Sequence, residues 1–269
     1  MVHLSSFLGA IGKQTHEFFA QIARLSELIR SFLYWGFLAP IEGKKSLRRE
    51  LFAKQLVFIG NESLFIVCLV SASVGAVLAL QAAYQLRQFG ALLYTGSLVS
   101  VSMTRELGPV ITAIVIAGRV GASITAELGT MKVQEEIDAL ITMGIPAAPF
   151  LVVPRIFGLV VMLPCLTILS YAVGMIGGYL VGVVGLHINS DLYLHGNFSA
   201  LVPKDMWTGL AKSFVFSLII GVIACYEGLS VKGGADGVGR ATTQSVVLSI
   251  ISIIVADGIF TAIFYYVFP

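Results

Sequence analysis

Charge is what this chain has least of. Asp, Glu, Lys and Arg make up 12% of its 269 residues, and hydrophobic residues 57%. Soluble domains carry roughly 25% and roughly 45–50% respectively. Mean hydropathy is +0.91, which all but excludes a soluble globular enzyme and excludes a disordered chain. Cysteine is scarce too. Cys68, Cys165 and Cys225 each sit in an apolar run without metal-like spacing, so a disulfide scaffold is excluded and they read as small packing residues. His3, His16, His187 and His195 form no ligand cluster. No G-x-x-x-x-G-K-[ST] loop occurs. The nearest run, Gly233-Gly-Ala-Asp-Gly-Val-Gly-Arg240, lacks the lysine and the hydroxyl residue that cradle a phosphate. No nucleophile–base pair is visible, and a net charge of +2 is too small to argue for nucleic acid. The first thirty residues show no continuous apolar core, so no cleavable signal is apparent. What remains is an integral membrane protein without visible catalytic machinery.

A span needs about 20 apolar residues to cross a hydrocarbon core of roughly 30 Å. The first lies in the uncharged stretch between Glu62 and Arg87, and the third runs from near Phe150 to near Gly185. The fourth covers about Met206 to Leu229, and the last fills Ala241 to Phe268 with Asp257 as its only charge. Residues 91–127 are harder to place, because one helix over all of them would be about 55 Å long. Pro109 suits a first helical turn, so the second span is expected from near Leu107 to near Leu128. Residues 91–103 then form a short segment lying on, or dipping into, the outer face, with a tilted, Pro-kinked long helix as the alternative. The expected architecture is all-α, with about five transmembrane helices.

Lysine and arginine placement orients it. With the N-terminal region and the loops around 119–155 and 229–240 in the cytoplasm, only Arg87, Arg105, Lys204 and Lys212 of the 17 basic residues lie outside. The N-terminus is then in and the C-terminus out. Residues 1–45 read as a separate unit. Their apolar residues recur at helical spacing between charges, which suits an amphipathic helix in the cytoplasmic interface or one packed on a partner, with Tyr34 and Trp35 at headgroup level. Lys44, Lys45, Arg48 and Arg49 follow as a basic cluster facing anionic headgroups, and residues 46–269 form the transmembrane unit. Gly174, Gly178 and Gly182, with Gly118, Gly121, Ala122 and Ala126, permit close helix approach within one chain or between two.

Between the second and third spans, residues 127–144 read as a short acidic amphipathic helix. It carries Glu127, Glu135, Glu136 and Asp138 beside Met131, Val133, Ile137, Leu140 and Met143, with Thr130 as a cap and Gly144 and Pro146 as a stop. Such a segment suits docking into a cytoplasmic partner, or is a solvated loop helix.

Several blocks then match a known family. Arg105-Glu-Leu-Gly-Pro-Val, Ala117-Gly-Arg-Val-Gly-Ala, Ala126-Glu-Leu-Gly-Thr-Met-Lys-Val and Glu136-Ile-Asp-Ala-Leu closely resemble the MlaE (YrbE) family of ABC-transporter permeases. Val152-Val-Pro-Arg155, Lys212-Ser-Phe-Val-Phe216 and Gly233–Thr243 extend the match over nearly the whole chain. The N-terminal 45 residues match in character only. The resemblance implies a homodimeric permease of the bacterial inner membrane, bound to a cytoplasmic ATPase subunit that supplies ATP and Mg chemistry, so no cofactor belongs to this chain. It also implies a periplasmic MCE-domain protein, often a small STAS-domain subunit, and glycerophospholipid as the usual cargo. Residues 127–144 are similar to the family's coupling helix.

Charges inside spans each cost roughly 2.5–3.5 kcal/mol at the centre on insertion scales and need a reason. Lys212 sits about 9 Å inside the outer start of the fourth span, at the depth of Glu106, so the two could pair across a cavity and leave Arg105 free for a lipid phosphate. The plainer account has Lys212 snorkelling outward and Glu106 favouring its helix N-terminus. Asp257 is either a structural hydrogen-bond partner of Ser249, Ser252 or Thr261 or a moving polar pivot. Arg119 and Glu227, at the cytoplasmic span ends, read as structural ion-pair residues. Leu78, Tyr84, Phe89 and Tyr94 suit acyl-chain contact, core packing or an aromatic belt equally. The competing function is an ion-coupled secondary carrier using Asp257 and Glu106, against which the absence of evident inverted repeats counts.

Overall fold

Apolar runs this long leave the backbone one solution in lipid, the helix, because every N–H and C=O must be met internally. The computed structural model describes residues 26–35 apart from 28, and 49–267; among these there is no strand. Five helical runs are long and apolar enough to cross a membrane: α1 (Glu50–Gln88), α2 (Leu92–Val133), α4 (Ala148–Gly185), α6 (Pro203–Leu229) and α7 (Gly234–Val267). Two short helices join them, α3 (Glu136–Thr142) between α2 and α4 and α5 (Ser190–Ala200) between α4 and α6. The all-α architecture with five spans is as expected. Of the amphipathic helix expected over residues 1–45, most lies outside the described residues, as do Lys44, Lys45, Arg48 and the side chain of Arg49. Residues 29–35 are helical, and Phe32 is buried with its ring 5.4 Å from that of Phe157.

The second span does not start near Leu107 but takes the alternative course, a single long helix. Residues 92–102 are the first turns of one 42-residue helical run that continues through Pro109 to Val133. A π-helical segment over Met103–Leu107 makes this possible, and Pro109 falls in the first turn of the α-segment that follows it. The ladder has already changed register there, so the missing N–H of Pro109 breaks no regular bond. Residues 92–102 pack against α5 on one side, with Leu93, Tyr94 and Leu98 exposed on the other. Ser97 Oγ donates to the Gly196 carbonyl of α5 at 2.9 Å, and Gly96 faces the Tyr193 carbonyl so closely that a Cβ would sit 2.7 Å from it. The start of α5 is fixed by Asn189, whose side chain accepts from the backbone N–H of Asp191 at 2.9 Å.

The glycine-rich faces join α1 to α4. A Cβ on Gly75 would overlap the Gly174 carbonyl, and one on Gly177 would overlap the Ala72 carbonyl. These contacts lie within one chain, whereas Gly118 faces open space. The main core is built from Ile116, Val120, Ile124 and Leu128 of α2, Ile156, Leu159 and Leu163 of α4, and Phe216 and Ile220 of α6. The last helix stands at the edge. Val247, Ile251, Ile254, Val255, Ile259 and Ile263 of α7 are exposed.

Candidate functional site

Polar side chains that survive inside an apolar bundle mark its site, and here they gather where α2, α6 and α7 meet. Lys212 of α6 is 1% exposed. Its ammonium donates to Glu106 Oε2 at 2.5 Å, Asp257 Oδ1 at 2.9 Å and Thr261 Oγ1 at 2.8 Å. The Thr261 hydroxyl in turn reaches Glu106 Oε1 at 3.0 Å and the Asp257 carbonyl, one turn back, at 2.9 Å. Three helices are thus tied through one buried ammonium. Arg105 and Glu106 both stand in the π-helical segment of α2 and reach α6 there, at Asp205 and Lys212. A cavity of about 640 Å³ opens beside it, lined by Arg105, Glu106, Asp205, Lys212, Thr261, Phe264 and Tyr265 among others.

The structure therefore brings together Glu106, Lys212 and Asp257. Asp257 takes Lys212 as its partner, and no bond from Ser249 or Ser252 reaches it among the described residues. Arg105 is not free, contrary to expectation. Its Nε lies 2.8 Å from Asp205 Oδ1. Asp205 escaped the sequence reading because Pro203-Lys204-Asp205 looks like an ordinary helix start. Its level, matching that of Arg105, was the available signal. The apolar candidates stand apart from this cavity. Leu78 and Tyr84 line a separate open groove of about 650 Å³ with Gln81 and Leu98, and Phe89 and Tyr94 are exposed near the α1–α2 turn.

At the opposite end, residues 127–144 are not one helix. The second span runs on through Gly129 to Val133, so Glu127 belongs to α2, where it holds the buried Arg155 guanidinium at 2.9 Å. Thr130 bonds the Ala126 carbonyl inside that helix and caps nothing. The chain breaks at Glu135, whose φ of 60° starts α3, and Gly144, at φ 76°, follows its last turn. Asp138 pairs with Lys132 at 3.1 Å, Ile137 anchors α3 in the core, and Ile141 and Met143 are exposed. Glu135 and Glu136 are exposed too. Arg119 pairs with Glu62 at 2.6 Å, not with Glu227, and its guanidinium also reaches the Phe58 carbonyl in the π-helical segment of α1 at 3.3 Å. Among the described residues no group of His, Cys, Asp and Glu could hold a metal ion, and the three thiols are unpaired.

Comparison with known proteins agrees with this architecture. The family described as permease MlaE matches residues 52–263. A probable ABC transporter permease protein of Rickettsia bellii is 42% identical over 97% of this chain and 99% of its own length. A probable ABC transporter permease protein of Synechocystis is 41% identical over 86% of this chain and 88% of its own. The intermembrane phospholipid transport system permease protein MlaE of Haemophilus influenzae is 34% identical over 97% and 98%. The match runs through the helices that build the ion-paired corner and through α3, and the chain belongs to the MlaE family of ABC-transporter permeases.

Proposed function

We propose that this permease moves phospholipid between the inner and outer membranes of a bacterium, driven by a separate ATPase chain. The observation that carries the reading is the cavity beside Lys212, where apolar walls meet a small set of ionic groups held in fixed positions. A phospholipid has the matching division into charged head and apolar chains. The relationship to the Haemophilus transport protein supports the same cargo. Two copies meet across the exposed apolar face of α7, and the groove beside Leu78 and Tyr84 continues the lipid path between them. The ATPase docks on α3, with Glu135, Glu136 and Asp138 as its ionic contacts and Ile141 and Met143 as its apolar ones. ATP and Mg are bound by that partner. An MCE-domain protein meets the other end, and a STAS-domain subunit sits with the ATPase. The N-terminus faces the cytoplasm and the C-terminus the periplasm.

Two nucleotide domains closing on ATP would pull the two α3 helices together, and the spans attached to them would collapse the cavity. The test is purification of the tagged chain from its native cells in mild detergent, with mass spectrometry of proteins and lipids. An ATPase, an MCE-domain protein and bound phospholipid are expected to come with it. Ile141→Asp combined with Met143→Asp is expected to lower ATPase recovery at least about tenfold, the loss expected when central apolar anchors are removed. A chain recovered alone after gentle crosslinking overturns the reading in favour of an ion-coupled carrier. ATPase recovery unchanged by the double variant overturns docking on α3.

A further inference from the structure

The cavity beside Lys212 distributes its polar atoms unevenly. An ammonium has three donors, and Lys212 uses all of them on Glu106, Asp257 and Thr261. It has none left for a bound anion. The open donors belong to Arg105, which lines the cavity, engages Asp205 through Nε and is 54% exposed. An open acceptor lies next to it. Asp205 is 3% exposed, and its second carboxylate oxygen, Oδ2, has no hydrogen-bond partner. An ionised oxygen held out of water without a donor is costly, so a donor belongs there. Glu106 presents a further carboxylate to the same space.

We propose that the cavity selects phospholipids whose headgroup carries a primary ammonium beside the phosphate, the phosphatidylethanolamine type, with Arg105 holding the phosphate and Asp205 Oδ2 accepting from the ammonium. The inference rests on the cavity being the lipid site. The open N–H groups of a guanidinium match a phosphate in charge and in fork geometry. The open acceptor sits on the very carboxylate bonded to that guanidinium, in reach of an ammonium two carbons from the phosphate. Phosphatidylcholine brings the positive charge without an N–H, so it cannot satisfy Oδ2. Phosphatidylglycerol brings neutral hydroxyls, which donate more weakly to a carboxylate oxygen than an ammonium does. Asp205 is thus a residue that sets headgroup preference rather than total lipid affinity.

The test places one reporter tryptophan on the cavity wall, Phe264→Trp in a Trp35→Phe, Trp207→Phe background, with the full chain in nanodiscs. Lipids with brominated chains quench it when they occupy the site. Brominated phosphatidylethanolamine is expected to quench at about one-tenth the mole fraction needed for phosphatidylglycerol or phosphatidylcholine, the ratio one charge-assisted hydrogen bond gives. Asp205→Asn is expected to bring the three lipids together while each still binds, and Arg105→Gln to weaken all three. Equal quenching by the three lipids in the unsubstituted cavity overturns the headgroup preference and leaves the lipid site standing. A preference that survives Asp205→Asn overturns the role of Asp205. No quenching by any of them overturns the lipid site itself. The comparison of lipids needs no substitution at Asp205, so a poorly folding variant does not remove the test.

Discussion

Replacing Lys212 with methionine is expected to lower the thermal midpoint of the detergent-solubilised protein by about 10 °C. The cause is what the substitution leaves behind. Methionine fills much of the same volume, but Glu106 and Asp257 lose the cation between them and face one another across the corner. Breaking a buried ion pair from one side costs roughly 3–5 kcal/mol, and the half-open Glu106 side chain puts this case near the lower end. For a domain of this size, one kcal/mol moves the midpoint by roughly 2–4 °C. The triple variant Lys212→Met, Glu106→Gln, Asp257→Asn removes the stranded charges, and its midpoint is expected to return most of the way. A single Lys212→Met variant that melts with the wild type would mean that the corner is hydrated and the lysine contributes nothing to holding α2, α6 and α7. Transport is expected to fail in both variants, which separates the site's function from its stability.

The pairing of Glu106 with Lys212 was legible in the sequence because depth in a membrane can be counted. Each residue adds 1.5 Å, which puts Lys212 about 9 Å beyond Met206 and Glu106 at the entry of its own span, a gap that a long lysine side chain reaching outward can close. Asp205 could be counted in the same way, but a helix start is where an acidic residue needs no further explanation, so the partner of Arg105 stayed hidden. The course of residues 92–102 stayed divided between two alternatives for a different reason. A π-helical turn at Met103–Leu107 adds a residue without changing composition, and in a helix that is apolar on every side no periodicity records it. Without that turn Pro109 argues for a helix start. With it, Pro109 is tolerated inside a long run. The same difficulty hid the end of α2. Acidic residues between 127 and 138 look like one amphipathic helix, yet Glu127 faces a buried arginine from another span, a contact 28 positions away in the chain. Spans, their number and the pairing of two charges buried in them follow from local chemistry; the partners of charges at span ends and the changes of helical register do not.

The glycines of α1 and α4 give the second large effect, and they are expected to sort by what each one touches rather than by motif. Gly177→Ala is expected to be severely damaging, because its methyl would overlap the Ala72 carbonyl, and backbone cannot rotate aside. Overpacking costs typically about 1–3 kcal/mol, and a backbone collision belongs at the top of that range, again roughly a 10 °C fall in midpoint. Gly75→Ala meets the Gly174 carbonyl and is expected to match it. Gly174→Ala points at the terminal methyl of Met103, a flexible thioether that can turn away, so a fall of only about 2–4 °C is expected. Gly118→Ala enters open space and gains helix propensity, so it is expected to stabilise by up to about 1 kcal/mol. Thermal unfolding of the four variants in one detergent checks the order. Equal effects at Gly177 and Gly118 would mean that α1 and α4 do not rest on these glycines. Gly258 carries the comparison one step further. Within one chain its Cβ would meet nothing, but Gly258 stands on the exposed apolar face of α7 where two copies are proposed to meet, so Gly258→Ala is expected to lower the midpoint of the dimer. A fall there, with Gly118→Ala still rising, would place a second copy of the chain against α7, because only a neighbour from outside could fill that space.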